Sequence, residues 1–241
     1  SCRNRSRWPV VLYFKKNNQS VIMITVHHLE QSRSFRILWA LEELGQPYQI
    51  EFYRRLPSFA APPELKRVHP LGKAPILTDG EQSIAESAVI LEYLQEQYDA
   101  VQQFKPARPA DQQQYRYWMH YAEGSLMPLL VMQLVVSKVP QRAPWLIRPV
   151  AAKVSEGIRQ GFIQPRLKDH IQFLEDYLAT HDYFAGTFSF ADIQMAFPLQ
   201  ALQSRTGGKY PQIERYLQRL AQREGYQRAF AHEQKLEAQL A

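Results

Sequence analysis

One cysteine, Cys2, stands in 241 residues, and that scarcity removes several chemistries at once. No disulfide, CxxC redox pair or cysteine-based zinc site can form within the chain, and the body carries no cysteine nucleophile unless Cys2 reaches one. The seven histidines contain no HExxH, so a metal site has no support. GxGxxG, Walker A and GxSxG sequences are missing too, which leaves nucleotide binding and α/β-hydrolase chemistry without a basis. No stretch approaches the roughly 18–20 apolar residues of a membrane span. Acid is missing from residues 1–22, which hold Arg3, Arg5, Arg7, Lys15 and Lys16.

That last absence accounts for the charge. The formal net charge is +6, from 29 Lys and Arg against 23 Asp and Glu, yet beyond residue 22 the balance is 24 against 23. A nucleic-acid footprint needs a basic surface on the folded body, so no nucleic-acid partner is expected. The apolar run from Trp8 to Phe14 contains Pro9 and ends at Lys15-Lys16-Asn17-Asn18 with no small-residue cleavage site, a poor secretory signal. Residues 1–22 are therefore expected to lie outside the fold.

What is present is ordinary globular composition, 45% hydrophobic and 22% charged. Ile22, Ile24 and Val26 alternate in a strand over 22–28, with His27 and His28 as strand residues, one inward and one outward. A helix follows to Leu44, with Ile37, Leu38, Leu41 and Leu44 on one face. Gly45 stands where a left-handed cap belongs, with Pro47 beyond it. Strands are expected over 48–53, 75–78 and 82–85, the last two joined at Asp79-Gly80, with a short helix opening at Pro62-Pro63 and a periodic helix over 86–98. The order is βαβ, a short helix, then ββα, over residues 23–100. A linker, 101–109, carries Pro106 and Pro109. Helical patterns alone fill 110–241, over 111–138, 150–163, 167–180, 191–204, 211–223 and 226–240, with breaks expected at Pro140, Pro144, Pro149, Pro165, Gly186 and Gly207-Gly208. Ser189 and Asp192 are spaced as a capping box, and Phe188 and Ile193 as its hydrophobic staple.

Three spots in the small domain can carry chemistry. Ser32 ends the first strand–helix turn, either as a plain cap or as a hydroxyl at a helix start that stabilises an anion. Ala74-Pro75 is either a plain strand start beside a solvated Lys73 or an extended edge that pairs with a peptide-like ligand. Glu86-Ser87 opens a helix, where Ser87 either caps it or binds a ligand carboxylate while Glu86 meets an ammonium. Together the three suit a small extended peptide with two carboxylates.

These segments resemble the cytosolic glutathione transferase family, in its serine-type branch shared by bacteria and fungi. The resemblance covers 23–241. It rests on His28-Leu29-Glu30-Gln31-Ser32-Arg33-Ser34-Phe35-Arg36, His69-Pro70-Leu71-Gly72-Lys73-Ala74-Pro75, Ala85-Glu86-Ser87, Tyr121-Ala122-Glu123-Gly124-Ser125-Leu126 and Ser189-Phe190-Ala191-Asp192-Ile193. It implies a thioredoxin-like N-terminal domain followed by an all-helical domain, a homodimer, a cytoplasmic location, no membrane or metal partner, and glutathione as co-substrate. It implies that Ser32 is catalytic, its hydroxyl donating to the glutathione thiolate, with Ser34 as the competing candidate. Ala74 would pair its backbone with the cysteinyl unit before a cis Pro75, Glu86 and Ser87 would hold the γ-glutamyl end, and Lys73 the glycyl carboxylate or backbone. Arg54 and Arg55 follow the second strand, where other members place basic ligands. Tyr117, Tyr121 and Met127 are candidates for an apolar electrophile pocket, or plain helix core, and Gly124 with Pro128 is expected to bend their helix. The expected activity is conjugation of glutathione to small hydrophobic electrophiles, with hydroperoxide reduction beside it. The alternative is a non-enzymatic module on the same fold.

Overall fold

Strands β1 (Val10–Tyr13), β2 (Ile24–Leu29), β3 (Tyr48–Tyr53), β4 (Ile76–Asp79) and β5 (Gln82–Ala85) form one mixed sheet, in the order β1-β3-β2-β4-β5. They belong to a computed structural model that describes residues 10–13 and 24–239; Cys2 and Ile22 lie outside the described residues. The chain divides into two units, one of Ser1–Val101 with Gln222–Ala241 and one of Gln102–Ala221.

In the first unit β2 and β3 run parallel, joined by α1 (Phe35–Leu44), and β4 and β5 form an antiparallel hairpin that pairs with β2. Gly80 takes φ 58° in the two-residue hairpin loop, a conformation that suits glycine. The helix α2 (Ser87–Tyr98) follows directly from β5. The leader was expected outside the fold, but four of its residues, Val10–Tyr13, pair antiparallel with β3. Val-Val-Leu-Tyr has strong strand preference, and β3 without it would expose a row of unpaired backbone groups.

Helix α1 ends as its sequence indicates, with Gly45 left-handed at φ 65° and its N–H on Glu42 and Leu41 carbonyls. It is buried far more completely than one apolar stripe requires: Ile37, Leu38, Trp39, Ala40 and Leu41 are all at 0% exposure. The cause is the last helix, α9 (Glu224–Gln239), which belongs to this unit and packs on α1 rather than joining the helices of 110–221. Arg223 pairs with Glu43 at 2.7 Å and Arg228 with Glu42 at 2.8 Å, and the Tyr226 ring meets Phe35 and Trp39 edge-on.

The second unit has two long helical runs. The first joins α3 (Pro109–Tyr121) to α4 (Met127–Arg142) through a π turn at Ala122–Leu126. The second joins α5 (Arg148–Ile158) to α6 (Gln164–Thr180) through a π turn at Arg159–Ile163. Pro165 therefore does not end a helix, and Pro140 lies inside α4; the chain turns only around Trp145–Ile147. The same spacing occurs at both π turns, Gly124-x-x-x-Pro128 and Gly161-x-x-x-Pro165. A proline clashes with the carbonyl four residues back and lacks a donor for it. In each run the residue before the proline instead donates one position further back, Met127 to Ala122 and Gln164 to Arg159, so a widened turn absorbs the ring. Helix α7 (Phe190–Thr206) is the buried axis of this unit, and the expected capping box at its start is formed. Helix α8 (Pro211–Ala221) lies against α6 and α7.

Candidate active site

The register of the sheet brings the three chemical spots to one end of the first unit. Strand β4 pairs His27 with Ile76, and β5 pairs Ala85 with the same Ile76. Ala74-Pro75, just before β4, thus lies beside the C-terminal end of β2, where the Ser32 turn begins. Glu86-Ser87, just after β5, lies at that end as well. Leu29, Ile76, Ala74 and Ala85 share one apolar cluster beneath them.

The turn after β2 is held from outside. Gln31 takes φ 47°, and Arg55 fastens it: its N–H and Nε donate to Glu30, and its guanidinium reaches the Gln31 and Phe59 carbonyls. Arg55 thereby spends its donors on the protein.

Inside this turn runs a buried polar chain. Ser32 Oγ accepts the Ser34 N–H at 3.2 Å and lies 2.6 Å from Ser34 Oγ. Ser34 Oγ accepts the Leu29 N–H at 3.1 Å and lies 2.8 Å from His28 Nδ1. On the far side of the imidazole, Nε2 is 3.3 Å from Glu233 Oε1 on α9, an ion-pair distance at an angle short of full hydrogen-bond alignment. Ser32 is 7% exposed, while Ser34 and His28 are at 0%. The two histidines do not split inward and outward: both are buried, because α9 covers the face on which His28 lies. His27 meets Glu51, Tyr53 and Thr78, and burial holds its pKa below the ordinary value despite Glu51.

The peptide between Ala74 and Pro75 is cis. Pro75 is buried, Ala74 partly so, and Lys73 is exposed. Gly72 turns the chain at φ 56°. Glu86 is exposed and held at φ 73°, ψ 120°, a region that side chains other than glycine rarely enter. Ser87 is buried, and its Oγ accepts the buried Arg36 guanidinium at 2.8 Å. A cation thus stands behind the first turn of α2, where an anion is already favoured by the helix start.

Of the pocket candidates, Tyr121 and Met127 are buried within the second unit, and Tyr117 is half exposed with its ring against Trp118 and Tyr121. The Tyr121 hydroxyl bonds His170, and burial raises its pKa. Sequence reasoning did not link His28, Arg36 or Glu233 to the Ser32 turn and the start of α2. A histidine ending a strand just before a Ser-x-Ser turn was the available signal for the first; nothing local marks Glu233.

This mixed sheet with a cis-proline before its third sequence-strand pairing, followed by an all-helical unit, defines the thioredoxin-like two-unit architecture of the transferases. Residues 22–96 match the family described as glutathione S-transferase, N-terminal domain, and residues 163–224 the glutathione S-transferase, C-terminal domain. Glutathione S-transferase 3 of Schizosaccharomyces pombe is 39% identical over 184 residues, 75% of each chain. Glutathione S-transferase 1 of Saccharomyces cerevisiae is 36% identical over 221 residues, 86% of this chain and 94% of that protein. A glutathione S-transferase structure from Actinobacillus pleuropneumoniae superposes with a TM-score of 0.72 at 30% identity, covering 88% of this chain and 93% of that one. A Phanerochaete chrysosporium glutathione transferase solved with oxidized glutathione shares the fold at a TM-score of 0.71 and 17% identity, covering 92% of this chain and 99% of its own. The chain belongs to the glutathione S-transferase family, and it is a glutathione transferase enzyme, with glutathione as its substrate. The non-enzymatic alternative falls with that finding.

Proposed function

We propose that Ser32, and not Ser34, stabilises the glutathione thiolate for attack on a small hydrophobic electrophile. One observation carries the choice. A hydroxyl has one donor and two acceptor sites. Ser34 Oγ is enclosed by His28, Ser32 and Leu29 groups at 0% exposure, so it has no capacity left for a ligand. Ser32 Oγ accepts the Ser34 N–H, and with the Ser34 hydroxyl also donating to it both acceptor sites are filled. Its own proton is then left for the sulfur. A free thiol has a pKa near 8.5, and a donor at a helix start lowers it by favouring the charged form.

Lys73, Ala74, Pro75, Glu86 and Ser87 bind the rest of glutathione: Lys73 at the glycyl carboxylate, the Ala74 backbone at the cysteinyl unit, Glu86 and Ser87 at the γ-glutamyl end. The cation of Arg36 behind Ser87 and the strained Glu86 support the last assignment. Tyr117, Tyr121 and Met127 of the second unit are the candidates for holding the apolar electrophile, with the half-exposed Tyr117 ring against Tyr121. The same thiolate reduces organic hydroperoxides, attacking one peroxide oxygen to release an alcohol; a second glutathione then resolves the sulfenate to the disulfide and water. The enzyme works in the cytoplasm and as a homodimer, the pairing supported by exposed Val131, Val135, Val139, Val154 and Ile158 on α4 and α5.

Ultraviolet titration of bound glutathione tests the assignment. In Ser32→Ala the bound thiol pKa returns toward about 8.5, and conjugation falls by about 10²-fold or more. A thiolate that persists in Ser32→Ala refutes it.

A further inference from the structure

We propose that Ser34, His28 and Glu233 form a proton relay behind Ser32, in which His28 receives the proton released by the glutathione thiol and Glu233 holds the resulting imidazolium. The proposal rests on the reading of Ser32 given above and adds to it the destination of the proton.

With the Ser34 proton kept within the chain rather than on the Leu29 carbonyl, 3.3 Å away, the hydrogen bonds have two self-consistent states. Before ionisation the thiol S–H donates to Ser32 Oγ, the Ser32 hydroxyl donates to Ser34 Oγ, and the Ser34 hydroxyl donates to His28 Nδ1. The neutral imidazole then carries its proton on Nε2, facing the Glu233 carboxylate. When the thiol ionises, each group passes one proton along. Ser32 keeps the proton it took from sulfur and now donates it back as the hydrogen bond that stabilises the thiolate. Ser34 donates to Ser32, and His28 donates to Ser34 through Nδ1 while Nε2–H stays directed toward Glu233, 3.3 Å away. One S–H bond is broken, one N–H bond is formed, and no group is left with two donors facing one another.

The mixed alternatives fail this inventory. If Ser32 donates to sulfur while His28 stays neutral, the proton sits on Nδ1 and a bare Nε2 faces a carboxylate at 3.3 Å. Glu233 and Glu237 from α9 lie on this side of the imidazole, and the ring of Phe52 on β3 lies 5.4 Å away and carries no charge. The carboxyl of Glu237 is raised by burial, then by Glu233 and Glu30, with His28 acting the other way. Glu233 has 17% of its side chain exposed, so the far end of the chain touches solvent, and the proton leaves there when the conjugate forms. The logic is that of a nucleophile, a base and an orienting carboxylate, with two hydroxyls inserted.

The test counts protons. At a pH between the ordinary imidazole and thiol values, about 7.5, glutathione is mixed with enzyme in weak buffer, and thiolate absorbance is compared with proton release read by an indicator dye. The relay requires markedly less than one proton released per thiolate formed in the wild type. His28→Asn keeps a donor to Ser34 but no base, and Glu233→Gln removes the charge from a helix side without deleting the side chain. In both, the ratio of thiolate to thiol at that pH falls roughly tenfold, as loss of one close charge partner implies, while affinity for S-methylglutathione, which has no thiol to ionise, is unchanged. One proton released per thiolate in the wild type overturns the relay. So does a thiolate level in Glu233→Gln equal to that of wild type, and this variant serves even where His28→Asn does not fold. If Ser32→Ala abolishes the thiolate while the other two leave it, only the relay fails; if Ser32→Ala also leaves it, the Ser32 reading fails.

Discussion

Replacing Asp192 is the sharpest test of how the second unit holds together. This carboxylate is at 0% exposure and receives four donors: Tyr216 O–H at 2.6 Å, Ser189 N–H at 2.8 Å, Phe184 N–H at 2.9 Å and Ser189 O–H at 3.2 Å. Asp192→Ala leaves them without an acceptor. One orphaned buried group costs about 1–3 kcal/mol, but the four share one site and do not add, so the expected loss is about 3–5 kcal/mol. Asp192→Asn keeps one oxygen for Tyr216 and Phe184 and sets an amide donor against Ser189 N–H, a smaller loss of about 1–2 kcal/mol at neutral pH.

The pH dependence separates charge from packing. Burial pushes the Asp192 carboxyl up from 3.8 to about 6, against the pull of Tyr216, Phe184 and Ser189. A folded pKa above the unfolded one means that the contribution is complete below about 3.8 and is lost as pH rises through about 6. That interval is worth roughly 3 kcal/mol, and Asp192→Asn cannot titrate through it. The stability advantage of wild type over Asp192→Asn should therefore be larger near pH 4 than at pH 7, by up to that amount. Urea unfolding followed by tryptophan fluorescence reads it, since buried Trp118 packs 4.4 Å from the Phe184 ring beside the carboxylate. A difference that does not change between the two pH values refutes the reasoning.

Glu42 titrates in the opposite sense: burial alone would raise its pKa, but bonds from His232, Arg228 and Tyr48 hold it at about 2. Its stabilisation is present above pH 4.5 and is lost as pH falls through about 2, so Glu42→Gln should flatten the acid limb of the stability curve there, with α9 becoming protease-sensitive at neutral pH. Glu86→Gly should stabilise the fold by about 0.5–1 kcal/mol by relieving its positive φ, while raising the KM for glutathione; unchanged KM would remove Glu86 from the site. Val135→Glu with Val154→Glu, both more than half exposed, should shift sedimentation from dimer to monomer without unfolding either unit.

The local grammar of this chain was legible because its signals are local. Gly45 ends α1, a tight hairpin forms where Asp79-Gly80 indicated it, with Gly80-Glu81 as its loop and Asp79 closing β4, and Ser189 with Asp192 caps α7, since each depends on backbone geometry within four residues. Motif order carried the family. Pro165 misled because a proline reads as a stop when its neighbours are judged singly, whereas a widened turn just before it absorbs the ring and lets the helix continue. Tertiary structure alone decided that α9 returns to the first unit, that Arg36 backs Ser87, and that His28 and Glu233 stand behind the serine turn. Those contacts join residues far apart in sequence, and neither periodicity nor spacing records which buried polar atoms will meet. Burial makes each such atom need a partner, and only the folded chain selects which one it finds.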